Sequence, residues 1–238
     1  LESQIGIPVI FIEANLENVV IKGFAFTGNG CIDTGDSVNG LEVSFNNIYN
    51  TNSEVAAWSE TRSQAEAVFD FWNNQSVEAK NIVVKYNKFE GVKETNILFA
   101  RNDTVTVSNN GFFNFGLDAI RADGGYNYGV WTFDNNVFKN DTLSGTNGIY
   151  FQSVSGAIDG KYQEIVITNN VFENIGTEGA SSSYNCAVSI RTYQEKGLKL
   201  DILYNTFKNC VNYFNLRNNG ANADTFAASV NYNAFYGV

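Results

Sequence analysis

An alternating apolar run, then Asn, any residue and an aromatic: this phrase recurs along almost the whole chain. No other feature constrains the fold as strongly. It occurs at residues 41–49, 82–89, 105–112, 130–138, 165–172, 200–207 and 230–235. Taking the recurring residue as Asn47, Asn87, Asn110, Asn136, Asn170, Asn205 and Asn233, the successive intervals are 40, 23, 26, 34, 35 and 28 residues. The shortest interval is one coil of a solenoid, and the longer ones are coils with loops inserted. An opening variant at 19–26 puts Phe24 where the others have Asn.

A second apolar run follows most copies, at 67–71, 97–99, 119–120, 149–151, 188–190 and 214–216. Each repeat therefore supplies at least two short strands, separated by Asn, Gly and Ser turns. One coil of this length cannot bury its own inward side chains. Stacking coil on coil closes the backbone ladders and superimposes like residues about 4.8 Å apart. This predicts an internal stack of Phe26, Tyr49, Phe89, Phe112, Phe138, Phe172, Phe207 and Phe235. The recurring Asn is expected at a corner, bonding a neighbouring coil and adopting the left-handed conformation. The reading is all-β: one parallel β-helix of about eight coils over 1–238. An antiparallel sandwich explains the alternation but not the same Asn-x-aromatic at every turn.

These motifs resemble the right-handed β-helix repeats of the pectate-lyase-like superfamily over nearly the whole chain. The resemblance implies a right-handed solenoid and, because many relatives act on polysaccharides, a carbohydrate ligand. Fold does not imply function, however, and the activity motifs of those relatives are missing. With no His, the Gly-His-Gly of polygalacturonase-like members is absent, and Asp33 with Asp36 is the only nearby carboxylate pair. With Pro8 the only proline, the signature of calcium-dependent pectate lyases is absent too. Arg121 with Asp123, or Arg191 with Glu195 and Lys196, imitates part of the Lys–Arg arrangement of chondroitinase-B and alginate lyases without completing it.

Composition narrows the field further. A net charge of -10 argues against nucleic acid, which demands clustered Lys and Arg. No stretch of eighteen apolar residues offers a transmembrane segment. The chain opens on Leu1 without Met, which reads as a processed or excised part of a longer protein with flanking domains. Cys31, Cys186 and Cys210 allow one disulfide, with Cys186 and Cys210 in consecutive repeats, or three small buried apolar residues. No cofactor is implied, and calcium is the one ion that acidic turns would suit, although no EF-hand or nonapeptide calcium repeat is present. Asn74, Asn102 and Asn140 begin glycosylation acceptor triplets, which chance alone supplies in a chain rich in Asn, Ser and Thr.

Residues 52–66 depart from the repeat and read as a loop carrying a short helix. Smaller insertions at 140–146 and 177–184 fall in the same part of their coils. Insertions gathered on one face of a solenoid frame its binding surface. Beside them the second strands end in Trp72, Arg121, Gln152, Arg191 and Arg217, read as projecting outward from successive coils. Asp123, Tyr126, Tyr128, Tyr150 and Tyr193 are expected to flank them. Guanidinium groups fork onto carboxylates, and flat aromatic faces accept sugar rings, so the strip suits a polysaccharide. The competing reading is solvated strand residues whose Arg stems cover apolar neighbours. The expected function is a secreted or cell-surface module that binds a polysaccharide or cell-wall glycan without catalysis, in an adhesin or envelope role. A polysaccharide lyase, or another carbohydrate-active enzyme of this fold, and a purely structural spike domain are the alternatives.

Overall fold

The computed structural model describes residues 2–3, 9–28, 32–35, 37–49, 67–72, 79–93, 95–123, 128–141, 146–154, 163–176, 185–192, 198–218 and 226–237. The helix expected within 52–66 lies outside them. All described strands pair in parallel, in three sheets that run the length of the chain, with no helix among the described residues. The fold is a parallel β-helix of about eight coils, and the antiparallel sandwich is excluded.

Each coil contributes three strands in a fixed order. Sheet I holds eight long strands, Glu17–Lys22, Asn39–Ser44, Ala79–Lys85, Asn102–Ser108, Tyr128–Asp134, Gln163–Thr168, Leu198–Leu203 and Phe226–Asn231. Sheet II holds nine short strands, from Glu2–Ser3 and Ala25–Gly28 through Asn47–Tyr49, Lys88–Glu90, Gly111–Phe113, Val137–Lys139, Val171–Glu173 and Thr206–Lys208 to Ala234–Tyr236. Sheet III holds eight, Ile10–Ile12, Ile32–Thr34, Ala67–Trp72, Thr95–Ala100, Asp118–Ala122, Asn147–Val154, Cys186–Thr192 and Phe214–Asn218. The apolar run of the repeat is a sheet I strand and the second run a sheet III strand. The aromatic of the repeat belongs to a short strand of its own in sheet II.

Alternation makes sheet I one-sided. In Gln163–Thr168 the burial alternates strictly, with Ile165 and Ile167 inside. β-Branched and aromatic side chains suit this pleated, half-buried surface. Inside, the Phe rings pile up as expected. Phe89, Phe112, Phe138, Phe172 and Phe207 are fully buried, with neighbouring centroids 4.7–5.0 Å apart and rings parallel to within 12°. Phe26 heads the same row and Phe235 closes it.

One rung departs from the expected register. Phe89 pairs with Ile48, and Tyr49 pairs with Glu90 on the outside. The ladder residue is therefore Asn46, not Asn47, and the first interval is 41 residues. Asn stands at both 46 and 47, so the motif fits either way. Burial decides: Ile48 lies inside at 0% exposure, whereas Tyr49 is 36% exposed.

The corner Asn also differs from expectation in its backbone. The left-handed residue is the one before it: Gly23, Phe45, Tyr86, Asn109, Asn135, Asn169, Tyr204 and Tyr232, with φ between 53° and 79°. The ladder Asn instead serves as a hydrogen-bonding amide. Asn110 Nδ2 donates to the carbonyl of Val84 one coil back, and Asn136 Oδ1 one coil on accepts from both Asn110 N and Asn110 Nδ2. The same pattern runs from Asn46 to Asn233, and Phe24 N donates to Asn46 Oδ1 at its start. Buried peptide groups at a corner, which no strand partner reaches, are thereby satisfied.

Cys186 and Cys210 are buried thiols that share no disulfide. Asn102 and Asn140, in two of the acceptor triplets, are buried, and Asn102 Nδ2 donates to the Phe71 carbonyl.

Candidate functional site

The two kinds of cation are segregated between the sheets. Among the described residues every arginine lies in sheet III or directly after one of its strands, as Arg101 does. The described lysines lie in sheets I and II, apart from Lys93 in a turn. On sheets I and II several Lys pair with a nearby acid, as in Lys85–Glu42 at 2.8 Å and Lys208–Glu173 at 2.8 Å. The Lys208 hydrogen bond holds the Glu173 carboxyl below its ordinary range. Such pairs are solubilising and contribute about 0–1 kcal/mol each.

Sheet III turns a different surface away from the core. Strand register places Asp33 beside Asp70, Asp70 beside Leu98, Leu98 beside Arg121, Arg121 beside Tyr150, Tyr150 beside Ser189 and Ser189 beside Asn215. A parallel row two residues on begins with Trp72 beside Ala100 and ends with Arg191 beside Arg217. Asp123, whose N–H donates to the Phe99 carbonyl, and Gln152, which follows Phe151 opposite Ile190, belong to this second row. The expected single file of Trp72, Arg121, Gln152, Arg191 and Arg217 is therefore two files. Arg121 stands in the first row, and Asp123 takes its place in the second. The strand alternates by two, and Arg121 precedes Asp123 by that step.

Side-chain reach rejoins the two rows. Arg121 Nη2 donates to Asp123 Oδ2 at 2.9 Å and also to Gln152 Oε1, one coil on. Its guanidinium carbon lies 6.0 Å from the centre of the Tyr150 ring. Asp123 is 6% exposed and Tyr150 5%. A planar guanidinium stacked on a ring and forked onto oxygens is fixed in place, which an ammonium on a flexible stem would not be. Ser189, 1% exposed, presents a hydroxyl with no hydrogen-bond partner among the described residues.

Arg217, by contrast, is exposed beside Arg191 on the adjacent coil. Two like charges in register on adjacent strands repel, and Arg217 is the more exposed of the two. At the other end Asp33 and Asp70, 5% and 6% exposed, form a stacked carboxylate pair. The sequence paired Asp33 with Asp36, which lies outside the described residues, because it cannot show that residue 70 returns to residue 33 one coil later. Tyr126 and Tyr193 also lie outside the described residues, as do the side chains of Trp72 and Tyr128.

Asp118 sits at the corner where sheet III begins, on the core side of the strip. Asn147 Nδ2 donates to its Oδ1 at 2.7 Å and the Thr146 hydroxyl at 3.0 Å. Burial pushes its carboxyl up to about 6, against the pull of Asn147 and of the Arg121 charge. No group of three or more metal-binding side chains occurs among the described residues. No family model, curated protein or solved structure matches the chain.

Proposed function

We propose that the outward face of sheet III binds a polysaccharide along the solenoid axis, in a secreted or cell-surface setting and without catalysis. One observation carries this reading: among the described residues the arginines lie in sheet III or directly after one of its strands, while lysine–acid pairs occur on the other two faces. Solubility alone would not sort Arg from Lys. Much of the first row is covered, with Asp33, Asp70, Leu98, Tyr150 and Ser189 between 1% and 6% exposed, so a sugar chain would meet the strip at Arg121 and at its exposed end by Arg217. Arg121, clamped by Asp123, Gln152 and Tyr150, keeps a rigid shape, and Arg217, exposed beside Arg191, supplies a fork for carboxylates or hydroxyls.

The test is retention on immobilised polysaccharides, acidic and neutral, by the intact protein and by a double variant, Arg191→Ala with Arg217→Ala. The variant should lose retention while its melting temperature stays close to that of the parent. Undiminished retention removes the strip from the proposal.

A second reading, a carbohydrate-active enzyme, is favoured by the stacked pair Asp33 and Asp70. Strand register sets them side by side on adjacent coils, and retaining glycosidases hold two carboxyls ~5–5.5 Å apart. Incubation with the retained polysaccharide separates the two. New reducing ends, or the ultraviolet absorbance of an unsaturated lyase product, would displace the binding-only reading, and loss of reducing ends in Asp70→Asn would assign the pair.

A further inference from the structure

The corner between sheets I and II is unlike the other two. In all eight coils it is turned by two residues, the left-handed one and the ladder residue after it. Connections at the other corners run from the single residue Arg101 to the seventeen residues 50–66. One edge of the solenoid is therefore a ridge without insertions, along which the coils repeat about every 4.8 Å.

The side chains at the left-handed position divide this ridge. Asn109, Asn135 and Asn169 suit it, because a short amide tolerates positive φ. Phe45, Tyr86 and Tyr204 do not: at φ of 56°, 55° and 58° a bulky side chain is strained. Burial does not offset that strain, since the three are 58%, 48% and 56% exposed although each has a coil on either side. Phe45 stacks on Tyr86 with centroids 4.9 Å apart, which offsets part of it. Asn at these positions would avoid it altogether. A strained conformation kept at an exposed surface points to function.

The surroundings indicate the ligand. Three outward rows border the ridge, two on sheet I and one on sheet II. Their charged residues are Lys22, Lys85 and Lys88 against Glu42, Asp134 and Asp201, which cancel in a chain of net charge -10. A neutral ridge matches an uncharged ligand. Between Tyr86 and Tyr204 it presents amides and hydroxyls: Asn135 Nδ2 donates to Asn109 Oδ1, and Thr106 and Thr132 stand side by side in the bordering row. Apolar rings at both ends and hydrogen-bonding groups between them suit a ligand rich in both C–H and hydroxyl surface. A projecting edge, unlike a groove, meets something flat.

We propose that this ridge is a second binding surface, for the flat face of an insoluble, uncharged polysaccharide. Phe45 with Tyr86, and Tyr204 four coils or about 19 Å further on, lie against the C–H faces of sugar rings, and the amides between them meet sugar hydroxyls. The ligand class rests on the reading given above, but the surface does not involve sheet III.

The measurement is retention of the full chain on microcrystalline cellulose and on fully acetylated chitin. A triple variant, Phe45→Asn with Tyr86→Asn and Tyr204→Asn, should be retained about tenfold less or weaker still. Its melting temperature should equal or exceed that of the parent, because Asn relieves three strained positions. A purely structural role for the rings would instead lower the melting temperature and leave retention unchanged, which overturns the proposal. So does a parent that neither powder retains. If the triple variant does not fold, Asn109→Tyr decides: a ring added beside Tyr86 should raise retention, and unchanged retention overturns the proposal. Binding to phosphatidylcholine vesicles in place of both powders would assign the ridge to a lipid surface and overturn it as well. The double arginine variant tests sheet III separately, so either surface can fail without the other.

Discussion

Asn170 Oδ1 accepts two hydrogen bonds from the coil below, from Asn136 N at 2.9 Å and from Asn136 Nδ2 at 3.0 Å. Asn136 in turn spans three coils, because its own Oδ1 serves Asn110 and its Nδ2 also reaches the Val107 carbonyl. The corner is thus a continuous amide chain, fully enclosed at this point.

Replacing Asn136 by Ala removes a group that satisfies the Asn110 N–H and the Val107 carbonyl, neither of which water can replace without opening the corner. The expected loss is about 3–5 kcal/mol, summed from unsatisfied buried groups at ~1–3 kcal/mol each. Asn136→Asp should cost at least as much, since it keeps the acceptor, loses both donated bonds and adds a buried charge. Denaturant unfolding of the two variants measures both.

Asp118 makes stability depend on pH with a defined sign. Its folded pKa, about 6, lies above the ordinary 3.8, so between these values the folded chain holds a proton that the unfolded chain has released. Stability from this group is full below about 4, falls as pH rises towards 6, and is level above; the span is about 3 kcal/mol. Asp118→Asn preserves an oxygen for Asn147 and Thr146. Melting curves from pH 4 to 7 should show the parent losing stability relative to this variant as pH rises. Parallel curves would mean that the carboxyl is ionised throughout.

The Arg121–Asp123 pair is largely enclosed, with side chains 17% and 8% exposed. Removing one partner strands the other charge, so Asp123→Ala should destabilise by about 3–5 kcal/mol. Asp123→Asn keeps an acceptor for Arg121 Nη2 and should cost less. A loss below that of an exposed Lys–Glu pair, measured with Lys208→Ala, would show that solvent reaches the guanidinium.

The thiols of Cys186 and Cys210 should resist modification in the native state. Burial pushes both upward, that of Cys210 to about 11. A thiol reagent at pH 8, followed by mass spectrometry of peptides, should label neither before unfolding and both after it. Native labelling of Cys210 would reveal opening of the corner next to Phe172.

The candidate site was legible as residues and only partly as geometry. Arg191 and Arg217 were readable as neighbours because each ends the second apolar run of its repeat. Arg121 was assigned to their file, but the strand places it one alternation step earlier, and only its side-chain reach to Gln152 reconnects it. Asp70 was not singled out at all. Nothing in its surroundings marks it, and the long interval between Asn46 and Asn87 hides that it returns to Asp33.

The recurrence of Asn before a buried apolar residue determined the parallel β-helix from the sequence alone, because a coil too thin to have a core must stack on copies of itself. Where the motif was ambiguous, as at Asn46 and Asn47, tertiary packing chose, since only one register puts Ile48 rather than Tyr49 among the Phe rings. The separation of the described Arg from Lys onto different faces and the pairing of Asp33 with Asp70 were decided by the tertiary structure. They depend on which residues coincide after a full turn, and inserted loops of unequal length erase that information from the spacing along the chain.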